Sequence, residues 1–287
     1  MKLFQSIQGS IESKETQENL IDRGQLQVNV TSSVNAFPVK EARISISYTG
    51  IPESILEQVV TDSSGQTELV ELNAPPEEWS LDENEERQPY SEYTLNIEAE
   101  GFESISVSGT EILANTKAIQ NVRMKQKDQS REEEQVFVIP AHTLYGNYPP
   151  KIAEEEIKPV NETGEIVLSR VVVPEYIIVH DGSPRDSTAQ NYYVKYKDYI
   201  KNVASSEIYA TWPDDTIRAN ILAIMSFTLN RVYTEWYRNK GKDFTITSST
   251  AYDHKWIRGR NVFDSISRIT DELFENYLSR PNVRQPI

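Results

Sequence analysis

A glutamate that ends an apolar helical stripe is the residue of this chain best suited to chemistry. Tyr196, Ile200, Val203 and Glu207 follow one another at i, i+4, i+7 and i+11, which places them on one face of a helix. Three of the four are residues that such a face buries, and the fourth is an acid. Burying a carboxyl group costs free energy unless the group is paired or used. Glu207 is therefore either a catalytic acid or a structural one that caps or pairs.

The elements that must position this acid follow it directly in the chain. The loop Tyr209–Pro213 breaks the first helix, and the acids Asp214 and Asp215 suit the N-terminal end of a second one. From Ile217 to Tyr237 that second helix is apolar nearly all round, which predicts a central, largely buried helix. Lys240-Gly241 is a typical C-terminal end for it, and a last amphipathic helix is predicted from Asn261.

The first half of the chain has a different pattern, with apolar residues at every second position. Seven short alternating segments between residues 24 and 126 predict the strands of an antiparallel β-sandwich. Residues 1–23 carry no period and are interpreted as a flexible lead-in, and the wholly polar stretch 127–135 as an exposed, cleavable linker. The predicted fold is α+β with two domains, a sandwich at 24–126 and an α+β domain at 136–287.

Charge and composition narrow the classes of function. The net charge is −15, and residues 1–135 account for −14 of it, so the sandwich is strongly acidic and unsuited to binding nucleic acid. There is no cysteine, which excludes disulfides and thiolate-bound metal. No apolar run reaches the length of a membrane span, and the first residues lack the apolar core of a signal peptide.

Both halves resemble known families. The segments PVKEARISI, TDSSGQTEL and YTLNIEAEGFES resemble transthyretin-like or carboxypeptidase-regulatory sandwich modules, which are usually accessory domains. The segment KDYIKNVASSEIYATWPDDTIRANILAIMSFTLNRVY is similar to the core motif of the stage II sporulation protein D family, whose members cleave the glycan strands of peptidoglycan. That motif is a helix ending in Val-x-x-x-Glu, an aromatic-Pro loop and a long helix.

Across residues 25–287 the chain resembles, more closely, the N-terminal portion of the clostridial spore cortex-lytic enzyme precursors. VPEYIIVHDGSP, SFTLNRVYTEWYRNKG, FTITSSTAYDHK and RPNVRQP fit those precursors in that order, and the similarity is most specific over 136–287. Members normally continue into a C-terminal peptidoglycan-binding repeat, which this sequence does not include.

The resemblance implies a lytic transglycosylase that acts on spore cortex peptidoglycan during germination, with Glu207 as the sole acid/base. Such an acid must be protonated at the glycosidic oxygen, and burial favours the protonated form. Because the 6-hydroxyl of the muramyl sugar replaces water as nucleophile, one carboxyl suffices where ordinary glycosidases use two. No cofactor is implied. Relatives carry a Thr-His-Cys zinc motif where this chain has residues 249–254, so no metal is expected.

The resemblance also implies a zymogen located outside the cytoplasm, in the cortex or coat region of the spore. A subtilisin-like protease would remove the acidic N-terminal pro-region by cutting near Gln129, Ser130 and Arg131. The implied partners are peptidoglycan strands and that protease, with no nucleic acid and no membrane span. The alternative is a non-catalytic peptidoglycan-binding or structural wall protein that keeps the fold.

Polar and aromatic residues in three turns are the candidates for substrate contact. They are His180, Asp181, Tyr209, Trp212, Ser249, Thr250, Tyr252, Asp253 and His254. Each also has a structural interpretation. The His-Asp turn can simply pair with backbone groups, and the two aromatic residues after Glu207 can pack against the long helix instead of stacking on sugar rings.

Overall fold

The chain has a mixed α+β fold. Its computed structural model describes residues 21–127, 134–142, 144, 157–159, 162 and 164–287. The chain divides into two compact units, one of residues up to Pro140 with Tyr209–Thr211, the other of Ala141–Ile208 with Trp212–Ile287. The predicted cleavage region Gln129–Arg131 and most of the predicted lead-in lie outside the described residues.

The first unit is built from two β-sheets. Its strands are β1 (Asp22–Ser32), β2 (Arg43–Tyr48), β3 (Ile55–Val60), β4 (Val70–Ala74), β5 (Tyr90–Glu98), β6 (Ile105–Leu113), β7 (Lys117–Met124) and β8 (Gln135–Val138), with a 3-10 turn at Glu77–Ser80. One sheet contains β7, β1 and β4 side by side, and the other has the order β3-β2-β5-β6-β8. The alternation in β1 buries Leu26, Val28 and Val30 completely.

The strands β1 to β7 occur where the alternating segments predict them, but the pairing differs from the prediction. β1 pairs with β7 in parallel, and β6 pairs with β8 in parallel, so the sheets are mixed and not purely antiparallel. β8 also moves the unit boundary. The sequence predicts that the second domain begins at residue 136, whereas β8 pairs with the edge of β6 and residues up to Pro140 belong to the first unit.

A glycine permits that extension of the first unit. Gly109 has a φ of +87°, and a Cβ there would lie 2.4 Å from the carbonyl oxygen of Ile139. The amide of Ile139 in turn donates to the carbonyl oxygen of Ser108 at 2.8 Å. Only a residue without a side chain tolerates both this φ and this close approach.

The second unit combines a small sheet with helices. Its elements are β9 (Tyr176–His180), β10 (Asn191–Lys195), α1 (Tyr196–Glu207), α2 (Asp214–Tyr233), a 3-10 turn at Arg238–Lys240, β11 (Ile246–Thr247), β12 (Val262–Phe263) and α3 (Asp264–Leu273). The sheet has the order β10-β9-β11, with β11 parallel to β9. The helices α1, α2 and α3 pack against one another.

The predicted apolar face of α1 is buried. Tyr196, Ile200 and Val203 are at most 1% exposed, while Glu207 at the last position is half-buried. The helix ends there because Ile208 adopts extended backbone angles, with φ −137° and ψ 155°. The stripe therefore leads into the core, and the acid lies where the core meets solvent.

The long helix α2 is shorter than its sequence predicts. It ends at Tyr233 and not near Tyr237, because Glu235 takes a positive φ of 47° that an α-helix does not accommodate. Gly241, predicted as the end of this helix, instead closes the following 3-10 turn with φ 71°. Among the described residues, no helix is long and apolar enough to cross a membrane.

Candidate active site

A backbone hydrogen bond fixes the carboxyl group of Glu207. The N–H of Lys255 donates to Glu207 Oε1 at 2.7 Å. A carboxyl oxygen can accept a bond of this kind whether the group is ionised or protonated. The bond holds the carboxyl in one orientation at the end of α1, which is what a group that moves a proton to a defined atom requires.

The loop that supplies this N–H is held against α1 by further bonds. Asn202 Nδ2 donates to the carbonyl oxygen of Ile257 at 2.7 Å, and the N–H of Ile257 donates back to Asn202 Oδ1 at 3.0 Å. Arg260 Nε donates to the carbonyl oxygen of Ser205 at 3.0 Å. Residues 255–260 therefore lie alongside the C-terminal half of α1. These contacts set the position of Lys255 relative to Glu207.

Asp253 is the centre of a buried polar cluster beneath the loop. It is 0% exposed, and its Oδ1 accepts from Arg231 Nε at 2.7 Å. Its Oδ2 accepts from the Tyr237 hydroxyl at 2.7 Å and from both the N–H and the hydroxyl of Thr247, at 2.9 and 2.6 Å. Burial, and after it the charge of Asp253, raises the pKa of Tyr237, so this phenol remains a donor.

His254 is also buried, and Tyr199 of α1 contacts one of its ring nitrogens. The Tyr199 hydroxyl lies 3.1 Å from His254 Nδ1, and the Phe227 ring lies 4.8 Å from the imidazole. Burial, followed by the negative charges of Asp253 and Glu207, raises the pKa of Tyr199 well above its ordinary value. The phenol therefore stays protonated, and when it donates to Nδ1 the proton of a neutral His254 is on Nε2.

His180 has oxygen atoms at both of its ring nitrogens. Its Nδ1 lies 2.8 Å from Asn191 Oδ1, and its Nε2 lies 3.2 and 2.9 Å from the carbonyl oxygens of Ser183 and Asp186. The amide of Asn191 is oriented by its own bond to Asp243 at 3.0 Å. His180 is 5% exposed. Its contacts with Ser183 and Asp186 tie together the loop that follows β9.

The structure brings two of the predicted turns together. Asp181 is exposed and accepts a hydrogen bond from the Ser248 hydroxyl at 2.9 Å, and the N–H of Ser248 donates to the carbonyl oxygen of His180 at 2.9 Å. The turn that contains Asp253 and His254 begins one residue later, where the carbonyl oxygen of Ser249 accepts from the N–H groups of Tyr252 and Asp253 at 3.0 and 2.8 Å.

The remaining candidates differ in burial. Ser249, Thr250, Tyr252 and Trp212 are half-buried, whereas Tyr209 is 7% exposed. A half-buried side chain keeps surface for a ligand, and a buried one offers little. Substrate contact by these residues stays a prediction.

Sequence reasoning missed several residues of this region. Arg231 is 2% exposed within α2, and a cation in the apolar second half of that helix was the signal for it. Trp256 and Tyr192 form an aromatic pair with centroids 5.7 Å apart, and the guanidinium of Arg258 lies 4.9 Å from the Tyr192 ring. Since Trp256 follows Lys255 directly, one member of this pair lies on the loop that bonds Glu207, and the other lies in β10. Neither its spacing nor its composition marks it in the sequence.

No group of three or more His, Asp or Glu side chains able to hold a metal ion occurs in the described part of the chain. Asp253 contacts Arg231, and His254 contacts Tyr199.

No protein-family model matches the chain, and no curated protein matches its sequence. Wild-type catechol 1,2-dioxygenase of Acinetobacter radioresistens is similar at 11% identity and a TM-score of 0.25, over 42% of this chain and 59% of that one. Chlorocatechol 1,2-dioxygenase of Pseudomonas putida is similar at 14% identity and a TM-score of 0.22, over 41% and 60%. (S)-allantoin synthase is similar at 14% identity and a TM-score of 0.24, over 37% of this chain and 44% of that one. The similarities span less than two thirds of each enzyme and are too low to inform on fold or activity.

Proposed function

We propose that this protein is a lytic transglycosylase of spore cortex peptidoglycan in which Glu207 is the single acid/base. The observation that carries the proposal is the fixed carboxyl of Glu207, held by the Lys255 N–H at the solvent end of a buried helical stripe. A carboxyl that is both oriented and half-buried suits proton transfer to a defined substrate atom.

The reaction needs no water and balances with one carboxyl group. Protonated Glu207 gives its proton to the glycosidic oxygen between a muramyl residue and the next N-acetylglucosamine. The C1–O bond breaks, and its electron pair stays on the departing oxygen. The Glu207 carboxylate then takes the proton of the muramyl 6-hydroxyl as that oxygen bonds to C1. The product is a 1,6-anhydromuramyl end, and Glu207 is protonated again.

The neighbouring acids support a mechanism with one carboxyl. An ordinary glycosidase needs a second carboxylate at a defined distance across the scissile bond. The fully buried Asp253 accepts four hydrogen bonds from Arg231, Tyr237 and Thr247. Asp181 is exposed and bonded to Ser248. Neither of these two acids has the half-buried environment of Glu207, and the proposed mechanism uses the substrate hydroxyl as the nucleophile.

The first unit is proposed to be an inhibitory pro-region built on a transthyretin-like β-sandwich. Its two β-sheets, its strong negative charge and the polar stretch of sequence between β7 and β8 support this assignment. A subtilisin-like protease would cut near Gln129, Ser130 and Arg131 to activate the enzyme outside the cytoplasm, in the cortex or coat region of the spore. Equal activity before and after this cut would contradict an inhibitory role.

A digestion experiment tests the enzyme proposal. Linker-cleaved protein is incubated with purified cortex peptidoglycan, and 1,6-anhydromuramyl ends are counted by mass spectrometry. The wild type and the matched control Glu275→Gln, which changes an exposed glutamate, should produce them, and Glu207→Gln should not. If the wild type binds peptidoglycan without producing anhydro ends, the alternative of a non-catalytic wall-binding protein is correct.

A further inference from the structure

A cavity of about 410 Å³ lies in the second unit, beside the turn that follows α2. Three aromatic side chains contribute to its wall, Trp236, Tyr237 and Tyr252. A cavity of this volume falls in the range that holds small ligands, and aromatic faces suit the C–H face of a sugar ring. We call it the cationic cavity because Arg185, Lys240 and Lys242 also line it.

Three basic side chains line the same cavity. They are Arg185, Lys240 and Lys242, and none of the described lining residues is an acid. Lys240 Nζ lies 3.2 Å from the centre of the Trp236 ring, so this cation is already placed against the aromatic wall. Within the described residues, Arg185 and Lys242 form no ion pair with a carboxylate. The cavity therefore presents positive charge that the nearby acids do not neutralise.

Arg231 connects the cationic cavity to the candidate active site. Arg231 lines the cavity and donates through Nη2 to the carbonyl oxygen of Tyr252 at 3.0 Å, while its Nε is paired with Asp253. Three residues after Tyr252, the N–H of Lys255 bonds Glu207. One short loop thus contributes both a wall of the cavity and the group that orients the acid.

His180 positions the loop that carries two further lining residues, Pro184 and Arg185. Its Nε2 lies within hydrogen-bond distance of the carbonyl oxygens of Ser183 and Asp186, the residues that enclose Pro184 and Arg185. Pro184 and Arg185 both line the cavity. The backbone of this loop is therefore held on both sides of Arg185.

We propose that the cationic cavity binds the carboxylate-bearing substituent of a muramyl residue in the glycan strand. The inference rests on the proposed function and specifies which part of the substrate is recognised. A muramyl residue carries a lactyl ether that ends in a carboxylate or in a peptide with carboxylates of its own, whereas the alternating N-acetylglucosamine carries none. Arg and Lys donors form strong charge-assisted bonds to carboxylates. Binding there would fix which of the two alternating sugars lies at Glu207.

The test measures binding and not cleavage. The full-length Glu207→Gln protein, which leaves the ligand intact, is titrated by calorimetry with a muramyl-containing tetrasaccharide that has free carboxylates. The same tetrasaccharide with its carboxyls converted to methyl amides is the matched ligand, and chitotetraose is the neutral one. The double variant Arg185→Gln/Lys242→Gln is compared with Arg170→Gln/Arg280→Gln, which removes the same charge from exposed positions elsewhere.

The proposal predicts a selective loss. The cavity variant should bind the carboxylate ligand about tenfold or more weakly, the change expected when a hydrogen bond to a charged group is lost. Its binding of the amidated ligand and of chitotetraose should equal that of the control variant. Equal affinity of both variants for the carboxylate ligand, or no saturable binding of that ligand, overturns the proposal. Retained selectivity in a protein that makes no anhydro ends contradicts the proposed function alone.

Discussion

The main-chain N–H of Lys255 lies 2.7 Å from Oε1 of Glu207, although the two residues are 48 positions apart in the chain. The bond joins the end of α1 to a loop that is itself fixed to α1 by Asn202 and to the buried cluster by Asp253. The acid is thus oriented by backbone, and the backbone is oriented by buried side chains.

Removing the acid should abolish catalysis without unfolding the protein. Glu207→Gln keeps an oxygen that can accept from the Lys255 N–H, so the thermal unfolding midpoint should stay within about 2 °C of the wild type, since a well-tolerated surface change costs under ~0.5 kcal/mol. The rate of anhydromuramyl formation should fall by about 10² to 10⁴-fold, the usual contribution of general acid–base catalysis. Mass spectrometry of the products and circular dichroism give the two readings. Activity near the wild-type level would remove Glu207 from the mechanism.

Loosening the loop should lower activity while Glu207 itself is unchanged. Asn202→Leu removes the partner of both the N–H and the carbonyl oxygen of Ile257, and each buried polar group left unsatisfied costs about 1–3 kcal/mol. We expect a lower unfolding free energy and faster amide exchange at Lys255, measured by hydrogen–deuterium exchange. The neighbouring exposed change Asp198→Asn serves as the control. An amide exchange rate at Lys255 that is the same in Asn202→Leu as in the wild type would show that the two Asn202–Ile257 hydrogen bonds do not hold the loop.

The buried ion pair should be far more sensitive than an exposed one. Arg231→Met leaves the carboxylate of Asp253 buried without its cation, and breaking a buried pair in this way costs about 3–5 kcal/mol. The exposed pair of Arg268 with Asp214 is the comparison, and Arg268→Met should cost about 1 kcal/mol or less. Urea unfolding monitored by tryptophan fluorescence measures both. Similar costs for the two variants would contradict a structural role for the Arg231–Asp253 pair.

One surface cluster should stabilise the fold in a pH-dependent manner. Burial is the largest influence on Asp271 and acts to raise its pKa, but hydrogen bonds from Lys201 and Lys197, at 2.8 and 3.0 Å, lower the pKa below its ordinary value. A carboxyl with a depressed folded-state pKa stabilises the protein above its unfolded pKa of about 3.9, and the stabilisation disappears as pH falls through the folded value.

The corresponding variant is Asp271→Asn. Because the pair is partly exposed, the loss in unfolding free energy at pH 7 should be about 0.2–1 kcal/mol. The difference from the wild type should shrink steadily in urea titrations at pH 5, 4 and 3. The exposed control Glu275→Gln should show no such trend. A difference that grows on acidification would mean that Asp271 is stabilised by something other than the two lysines.

The loop after β9 should depend on the ring nitrogens of His180. His180→Phe retains a ring that can stack on Phe244, whose centroid is 4.3 Å away, but removes the contacts to Asn191, Ser183 and Asp186. Losing one such bond of about 1.4 kcal/mol should speed local opening roughly tenfold. Amide exchange at Asp186 reports it, and Tyr193→Phe at an exposed site of β10 is the control. Unchanged exchange at Asp186 would show that the stacking alone holds the loop.

The parts of this protein that could be predicted from sequence are those set by local geometry. Seven strands of the first unit follow period-two alternation, and the stripe that ends at Glu207 follows the 3.6-residue repeat of a helix. The parallel addition of β8 to β6 and the early end of α2 at Glu235 were not predictable in this way. The first depends on an edge 30 residues earlier in the chain, at Ile105 opposite Gln135, and the second on one backbone angle.

The sequence by itself marked Glu207 as a candidate acid, because helical spacing placed it on the buried face with Tyr196 and Ile200. Only the tertiary structure decided how that acid is held, since the donor is a backbone N–H, which every residue except proline carries and no pattern marks. The same holds for the pairing of Arg231 with Asp253 and for the cationic cavity. Each joins side chains distant in sequence, and contacts of that kind form only when the core packs.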